Sequence, residues 1–166
     1  MKIDPHRQRW SRHEPPEDDP LDDPIRVLIA DDDDRTTMEL RDSLPAYGIE
    51  IVGNARNGAE ASEKVAGLHP EVVLMDLRMP EVDGIEATVL IKAQDPRTQV
   101  VILTAFSERD SKWAAEFMGA ADLLEKDAPL EELVDTLRQA ARAYRASLSP
   151  PGSVAVSDDP GDPQPR

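Results

Sequence analysis

The sequence has no cysteine and only 4% aromatic residues, and the missing cysteine excludes two kinds of site. Without cysteine the chain can form no disulfide and can offer no thiolate to a metal. No apolar run approaches the roughly 20 residues of a membrane-spanning helix, and the polar N-terminus does not resemble a signal peptide. We therefore expect a cytoplasmic protein that does not enter a membrane.

Positive charge is also scarce. The chain has 19 Lys and Arg against 34 Asp and Glu, for a formal net charge of -15. Residues 25–148 carry most of the excess and contain no basic stripe. Because this excess of negative charge repels polyanions, we expect no direct DNA binding by this chain and no membrane partner.

Proline is concentrated at the two ends of the chain. Ten of the 15 prolines lie in residues 1–24 and 149–166, which contain few bulky apolar residues. Segments of this composition bury too little apolar surface to offset their chain entropy. We expect a disordered N-terminal tail at 1–24, one compact domain at 25–148 and a disordered C-terminal tail at 149–166.

Apolar runs and helical patterns alternate five times within residues 25–148. The predicted strands are 25–30, 49–53, 72–76, 99–104 and 121–126, and the helices that follow them are 35–46, 58–68, 84–94, 108–118 and 129–148. This alternation predicts an α/β fold, a doubly wound five-stranded parallel sheet with helices on both faces. The second and fifth strands carry Glu50, Asp122 and Glu125, as edge strands do, so with right-handed crossovers the order 2-1-3-4-5 fits.

Polar residues stand where four of these strands end. Asp31 and Asp32 follow the first strand, Asp76 ends the third, Thr104 ends the fourth and Lys126 ends the fifth. In this strand order ligands bind at the carboxyl ends near the first and third strands, so we expect one shared cleft. Carboxylates about 4 Å apart repel by roughly 1–4 kcal/mol, and a hard cation such as Mg²⁺ would relieve that repulsion.

The same cleft is suited to phosphate chemistry. A carboxylate can form an acyl phosphate, which makes Asp76 the candidate nucleophile. Thr104 and Lys126 can contact phosphoryl oxygens through a hydroxyl and an ammonium group. The sequence therefore predicts a site that handles phosphate together with a divalent cation.

Four motifs, in this order, resemble a known family. They are VLIADDDD (27–34), VVLMDLRMPEVDGIEA (72–87), VVILTA (100–105) and LLEKDAP (123–129). Over about 25–146 the chain resembles the CheY-like receiver domain of bacterial two-component response regulators, which implies a flavodoxin-like (βα)5 fold. The run KDAP (126–129) resembles the LuxR/FixJ-type transcription regulators, which carry a helix-turn-helix domain after the receiver. We expect no such domain in the 18 residues after Leu148, which leaves open a stand-alone receiver or one without its output domain.

The resemblance implies a signalling switch and no enzyme, beyond self-phosphorylation from phosphodonors and autodephosphorylation. Asp76 would accept a phosphoryl group from a sensor histidine kinase or a phosphotransfer protein. Mg²⁺, or Mn²⁺ in its place, would be held by Asp31, Asp32, Asp76 and the backbone carbonyl of Arg78.

Further roles follow from the same resemblance. Thr104, Ala105 and Lys126 would bind the phosphoryl group and carry the switch. Pro80 and Gly84 match the turn that follows the phosphoacceptor, where glycine can take a backbone shape that other residues resist.

The partner surface is less clearly marked in the sequence. Leu123 stands where the family usually has an aromatic residue, so switching would depend on other parts of the domain. Trp113 and Phe117 are four residues apart and lie together on one side of the predicted helix 108–118. We expect the face made by this helix, strand 121–126 and helix 129–148 to bind an unidentified protein target or a second copy.

Two alternatives remain at this stage. The run DDDRT (32–36) fits the D-x-D-x-T signature of haloacid-dehalogenase-type phosphatases. Such an enzyme usually needs a further acidic pair after the lysine to complete its metal site, whereas residues 129–148 are predicted to form an amphipathic helix, and Asp76 would have no role. A pseudo-receiver that signals without phosphate is the other alternative.

Asp33 and Asp34 are expected to begin the first helix, where acidic side chains interact favourably with the positive end of the helix dipole.

Overall fold

The computed structural model describes residues 23–105 and 119–148 and confirms the predicted parallel sheet. Its five strands are β1 (Ile25–Ala30), β2 (Ile49–Ala55), β3 (Val72–Asp76), β4 (Gln99–Thr104) and β5 (Asp122–Glu125). All four pairings are parallel, and the strand order is β2-β1-β3-β4-β5. This order places the carboxyl ends of β1 and β3 side by side at the switch point of the sheet.

Four α-helices connect or follow these strands in the described residues. They are α1 (Asp34–Ser43), α2 (Gly58–Leu68), α3 (Gly84–Gln94) and α4 (Leu130–Leu148), and a 3-10 turn at Leu44–Tyr47 follows α1. None of these helices is long and apolar enough to cross a membrane.

The helix predicted over 35–46 begins one residue earlier, within the aspartates expected to start it, and its predicted end was wrong. The α-helix begins at Asp34, because the side chain of Asp33 caps it by accepting the backbone N–H of Arg35. It ends at Ser43, and the chain tightens into the 3-10 turn that contains Pro45. Proline lacks the N–H that a continuing α-helix would need.

The edge strand β2 is two residues longer than predicted and carries an irregularity. Val27 pairs with Ile51 but Leu28 pairs with Gly53, so Val52 is an extra residue in β2. Such a bulge bends and twists an edge strand, which discourages pairing with another chain. Gly53 lies here, where an added Cβ would approach the side chain of Leu68 to 2.9 Å.

Each face of the sheet buries its own apolar cluster. On one face α4 packs Leu133, Val134 and Leu137 onto the strands, and Leu44 lies in the same cluster. On the other face Val65 of α2 and Ile91 of α3 lie in the second cluster. All of these side chains are buried, so the sheet is a rigid base for the polar residues at its carboxyl edge.

Several predictions fall on residues outside the described ranges. They include the helix 108–118, with Trp113 and Phe117, and nearly all of both predicted tails. Asp23 and Pro24, the last residues of the predicted N-terminal tail, are described, and their carbonyl oxygens accept hydrogen bonds from Arg145 of α4. The domain boundaries stay predictions.

Candidate functional site

Three carboxylates meet at the carboxyl edge of the sheet, beside the switch point. Asp31 and Asp32 follow β1, and Asp76 ends β3; one oxygen from each lies within 4.8 Å of the others. Asp31 and Asp76 are 5% and 7% exposed, whereas Asp32 is open to solvent. Two buried acids and one exposed acid form a strongly negative cluster that solvent reaches through Asp32.

Lys126 supplies the positive charge of the site. It follows β5, and its Nζ lies 2.7 Å from Asp31 Oδ2 and 3.6 Å from Asp76 Oδ2. The Lys126 side chain is 22% exposed, so solvent screens these pairs only in part. Lys126 therefore offsets some of the mutual repulsion of the carboxylates, and its ammonium group lies directly beside Asp76.

Burial and neighbouring charges oppose each other in setting two pKa values. Burial raises the pKa of Asp76, and the charges of Asp31 and Asp32 raise it further, against the lowering effect of Lys126. Burial alone would lower the pKa of Lys126, but its hydrogen bond to Asp31 and the nearby carboxylates raise it above the ordinary value. The site thus holds a firmly charged ammonium next to a carboxylate whose charge is partly uncompensated.

Thr104 lies on the opposite side of Asp76 from β1, at the end of β4. Its side chain is 4% exposed, and its carbonyl oxygen accepts the backbone N–H of Lys126 at 2.6 Å. That hydrogen bond joins the ends of β4 and β5, so Thr104 and Lys126 are held in one unit. Ala105, the next residue, is exposed.

The turn after Asp76 approaches the acidic cluster very closely. The backbone N–H of Arg78 donates to the Asp76 carboxylate, which places the Arg78 peptide beside the cluster. Gly84 N–H donates to the Leu77 carbonyl at 3.0 Å, and a Cβ on Gly84 would collide with the carbonyl oxygen of Asp76. Pro80 is exposed within this turn. The metal-binding role of the Arg78 carbonyl remains a prediction.

The other two aspartates of the run begin α1, as predicted. Asp33 caps the helix, and its hydrogen bond with the hydroxyl of Thr36 lowers the pKa of Asp33. Asp34 lies in the first turn and pairs with Arg56 at 2.7 Å. Asp34 and Thr36 of the phosphatase-like signature therefore serve the start of a helix, and Asp34 is not among the clustered carboxylates of the described residues.

Arg56, after β2, lies beside the site although its sequence context did not mark it. Besides Asp34, its guanidinium contacts the carbonyl oxygen of Asp32 at 3.4 Å. The adjacent Asn57 side chain lies 3.4 Å from the carboxylate of Glu81, in the turn after Asp76. No spacing rule points to these residues, because the parallel pairing of β1 with β2 is what brings them to the site.

Leu123, the described member of the predicted partner face, is only partly exposed. It lies on β5 and packs against the apolar cluster that contains Val65 and Ile91. Its main contribution in this structure is therefore to the core, and its role in binding a partner stays a prediction.

Comparison with known proteins identifies the family to which this arrangement belongs. The family described as "Response regulator receiver domain" matches residues 27–138, which include every residue of the acidic cluster, Thr104 and Lys126. This chain belongs to the response regulator receiver family. Receiver domains bind Mg²⁺ at an acidic pocket, and the three carboxylates of this cluster fit a hard cation that prefers oxygen ligands.

Two curated relatives and one solved structure are similar to this receiver domain in sequence, and the structure also in fold. Transcriptional regulatory protein PdtaR of Mycobacterium tuberculosis is 40% identical over 134 residues, 80% of this chain and 64% of that protein. Chemotaxis protein CheY of Thermotoga maritima is 35% identical over 70% of this chain and 98% of that protein. The crystal structure of the response regulator domain of Thermotoga maritima CheB is 34% identical, with a TM-score of 0.66 over 72% of this chain and 97% of that one.

Many relatives are longer than the part that matches. The chain spans 64% of PdtaR and 36% of a protein-glutamate methylesterase from Archaeoglobus fulgidus. Receiver domains generally act as signalling switches, and the enzymatic relatives carry other domains. The haloacid-dehalogenase alternative is therefore wrong at the level of the family.

Proposed function

We propose that this receiver domain accepts a phosphoryl group on Asp76 in a reaction that requires Mg²⁺. The observation that carries the proposal is the convergence of Asp31, Asp32 and Asp76, with Lys126 2.7 Å from Asp31 and 3.6 Å from Asp76. Packing of the apolar core does not require three carboxylates to lie together, and their mutual repulsion opposes it. The bound cation would be held by these carboxylates and the backbone carbonyl of Arg78.

The nucleophile in the proposed reaction is a carboxylate oxygen of Asp76. It attacks the phosphorus of the donor and forms a new P–O bond, while the bond from phosphorus to the donor breaks and the leaving group takes the electron pair. Mg²⁺, when bound, neutralises negative charge on the phosphoryl oxygens. Lys126 stabilises a further oxygen and favours the ionised form of Asp76, since its ammonium group lies beside that carboxylate.

Thr104 and Lys126 are proposed to convert phosphorylation into a change of shape. Both lie at the ends of neighbouring strands, and the backbone N–H of Lys126 donates to the carbonyl oxygen of Thr104. A displacement of Thr104 would therefore also displace Lys126. Ala105 follows Thr104 directly and would present its backbone to the same phosphoryl group. A hydroxyl that moves toward phosphate would favour one conformation of the chain after β4, and a partner that prefers that conformation is then bound more tightly.

The donor is proposed to be a histidine kinase or a phosphotransfer protein, and the output a protein target or a second copy. Trp113, Phe117 and Leu123 are the proposed partner residues. Trp113 and Phe117 would share one side of the helix predicted from the sequence, and in a chain with 4% aromatic residues such a pair suits a binding patch, because aromatic side chains contribute strongly to interfaces.

Beryllofluoride, which mimics a phosphoryl group, tests the assignment of the site. With Mg²⁺ present, it should shift the amide NMR signals of residues around Asp31, Asp76, Thr104 and Lys126. The variant Asp76→Asn should show no such shift. If wild type gives no shift, or if the variant responds equally, the proposal is overturned and the chain is better described as a receiver domain that signals without phosphate.

A further inference from the structure

The segment that joins β2 to α2 contacts both of the loops that carry the acidic cluster. It consists of Arg56, Asn57 and Gly58, and we call it the β2–α2 corner. Toward the loop after β1, the guanidinium of Arg56 donates to the carboxylate of Asp34 at 2.7 Å and to the carbonyl oxygen of Asp32 at 3.4 Å. The acidic cluster contains no residue of the corner, so the corner can act on a cation there only through the loops.

The corner contacts the turn after β3 more tightly. The backbone N–H of Gly58 donates to the carbonyl oxygen of Val82 at 3.0 Å, and Asn57 Nδ2 lies 3.4 Å from the carboxylate of Glu81. Gly58 is buried, and an added Cβ would lie 2.7 Å from the same carbonyl oxygen of Val82 and 2.7 Å from the Cβ of Ala87. A side chain at this position would therefore have to push the turn away from the corner.

This turn has a backbone shape that its surroundings must hold. The backbone N–H of Val82 donates to the carbonyl oxygen of Pro80 at 2.9 Å, which closes a tight three-residue turn around Glu81. Glu81 has a φ of 66°, in the left-handed region that residues with a side chain rarely adopt. Such a conformation persists where neighbouring contacts fix it. The corner supplies two of these contacts, one to the side chain of Glu81 and one to the carbonyl of Val82.

The corner is itself fixed at both of its ends. The carbonyl oxygen of Ala55, the last residue of β2, accepts the backbone N–H of Asp31 at 3.0 Å. At the start of α2, the side chain of Asn57 accepts the backbone N–H of Glu60 at 2.8 Å, and the Glu60 carboxylate accepts the backbone N–H of Arg56 at 2.9 Å. This reciprocal pair of hydrogen bonds resembles a capping box. The corner can therefore act as a rigid spacer between the two loops.

We propose that the β2–α2 corner positions the two loops for Mg²⁺, with Arg56 and Gly58 as positioning residues. This inference rests on the Mg²⁺ site of the proposed function. Mg²⁺ requires nearly ideal octahedral geometry with ligands at about 2.0–2.1 Å, so its affinity is sensitive to small displacements of the loops. The corner would keep Asp31 and Asp32, on one loop, at the distance from Asp76 that the cation needs.

A simple effect of the charge of Arg56 would have the opposite sign. A guanidinium beside the cluster repels a divalent cation, so removing its charge alone would tighten Mg²⁺ binding. Arg56→Lys separates the two effects, because lysine keeps the charge but lacks the planar fork that reaches two oxygens. Weaker Mg²⁺ binding by a variant that contains this change therefore indicates positioning.

A Mg²⁺ titration of the full-length chain, followed by its amide NMR signals, tests the proposal. Gly58→Ala should raise the Kd for Mg²⁺ about ten-fold, as changes in residues that orient metal ligands do. Gly67→Ala is the matched control, because it adds the same methyl group to the same helix with nothing within 4 Å, and its Kd should equal that of wild type. A folded Gly58→Ala variant with the wild-type Kd would overturn the proposal, even if its melting temperature in EDTA is lower.

A second variant keeps the test decisive if Gly58→Ala does not fold. Arg56→Lys with Asn57→Ser keeps the charge and an oxygen that can cap α2, but it removes the fork and the contact with Glu81. It should raise the Kd for Mg²⁺ about three-fold, as expected for the loss of exposed contacts. Circular dichroism checks that the variant is folded, and an unchanged Kd in the folded variant would overturn the proposal.

Two comparisons separate this inference from the proposed function. If wild type binds Mg²⁺ and is modified by acetyl phosphate while both variants keep its Kd, the proposed function stands and this inference fails. If wild type shows no Mg²⁺-dependent change, both fail. At saturating Mg²⁺, Gly58→Ala should be modified at about the wild-type rate, because the bound cation restores the separation of the loops. A much lower rate there would show that the change disturbs Asp76 itself and would overturn a role in cation binding alone.

Discussion

The backbone carbonyl of Asp76 lies where a side chain on Gly84 would have to go. This contact makes glycine necessary for a reason of space, since an added Cβ would also lie 2.9 Å from the Cα of Leu77. Both atoms belong to backbone that carries the site, so they cannot move aside without moving Asp76. The residue that permits the turn is therefore coupled to the geometry of the nucleophile.

We predict that Gly84→Ala destabilises the protein by about 3 kcal/mol, as overpacking of a tight site does. Gly67→Ala is the matched control, because Gly67 lies in α2 with nothing within 4 Å of the added Cβ. Alanine at a helical position should stabilise by about 0.5 kcal/mol. Urea unfolding of both variants measures the difference, and a Gly84→Ala variant as stable as the control would contradict the contact.

Removing the charge of Asp76 should stabilise the protein when no divalent cation is present. Asp76 is buried beside Asp31 and Asp32, so its ionised form is disfavoured in the folded state. We expect Asp76→Asn to raise the free energy of unfolding by about 1 kcal/mol in EDTA, the lower end of the repulsion between carboxylates at this separation.

Millimolar Mg²⁺ should reverse the order of the two melting temperatures. It binds only the folded state and should raise the melting temperature of wild type by several degrees, with little effect on Asp76→Asn. Calorimetry in EDTA and in Mg²⁺ measures both effects. Equal shifts in the two proteins would rule out Asp76 as a metal ligand.

At the scale of residues, the sequence predicted the site better than its surroundings. Asp31, Asp32, Asp76 and Thr104 follow runs of buried apolar residues, and once the strand order is known their proximity follows from geometry. Arg56 reaches the site through its side chain from a loop of ordinary composition, and nothing local in the sequence encodes that contact.

At the scale of elements, apolar periodicity and caps decided most of the boundaries. The predicted bounds of β1, β3, β4, α2 and α3 are confirmed to the residue. The main error came where a proline overrides the apolar pattern, at the end of α1. The bulge at Val52 in β2 depends on pairing with β1, which no local pattern reveals.

The connection from α3 to β4 should make stability depend on pH through Asp95. Burial would raise the pKa of Asp95, but hydrogen bonds from the backbone and guanidinium of Arg97 outweigh it and hold the pKa below its usual value. A lowered folded-state pKa means that the stabilisation is present above the unfolded value of about 3.9 and is lost as the pH falls through the lower folded value.

We therefore predict that Asp95→Asn costs about 1 kcal/mol of unfolding free energy at pH 7, from loss of these charge-assisted hydrogen bonds. The cost should shrink as the pH falls below about 4. Asp42→Asn makes the same change of charge on an exposed side of α1 and should have little effect at either pH. A cost for Asp95→Asn that does not change with pH would refute the role of its charge.

At the scale of the whole molecule, the fold class was predictable because five strand–helix pairs admit few arrangements. Edge strands were recognisable from Glu50, Asp122 and Glu125, and this recognition set the order of the sheet. The partner surface was not predictable to the same degree, since a binding patch requires only a few residues and no periodic pattern. Leu123 illustrates the difficulty, because the same leucine can pack in the core or contact a partner.

Phosphorylation should control association through the proposed partner face. We expect the double variant Trp113→Ser with Phe117→Ser to lose any association that wild type gains with beryllofluoride and Mg²⁺. Analytical ultracentrifugation and pull-down, with and without beryllofluoride, measure this loss, and circular dichroism checks that the variant is folded. A folded variant that keeps every such association would exclude this face.

The central claim is that Asp76 is a Mg²⁺-dependent phosphoacceptor, and intact-mass analysis after incubation with acetyl phosphate tests it most directly. With Mg²⁺, wild type should gain the mass of one phosphoryl group, and with EDTA it should gain none. Asp76→Asn should stay unmodified in both conditions, because an amide does not form the acyl phosphate. Undiminished modification of Asp76→Asn, or of wild type in EDTA, would contradict the account.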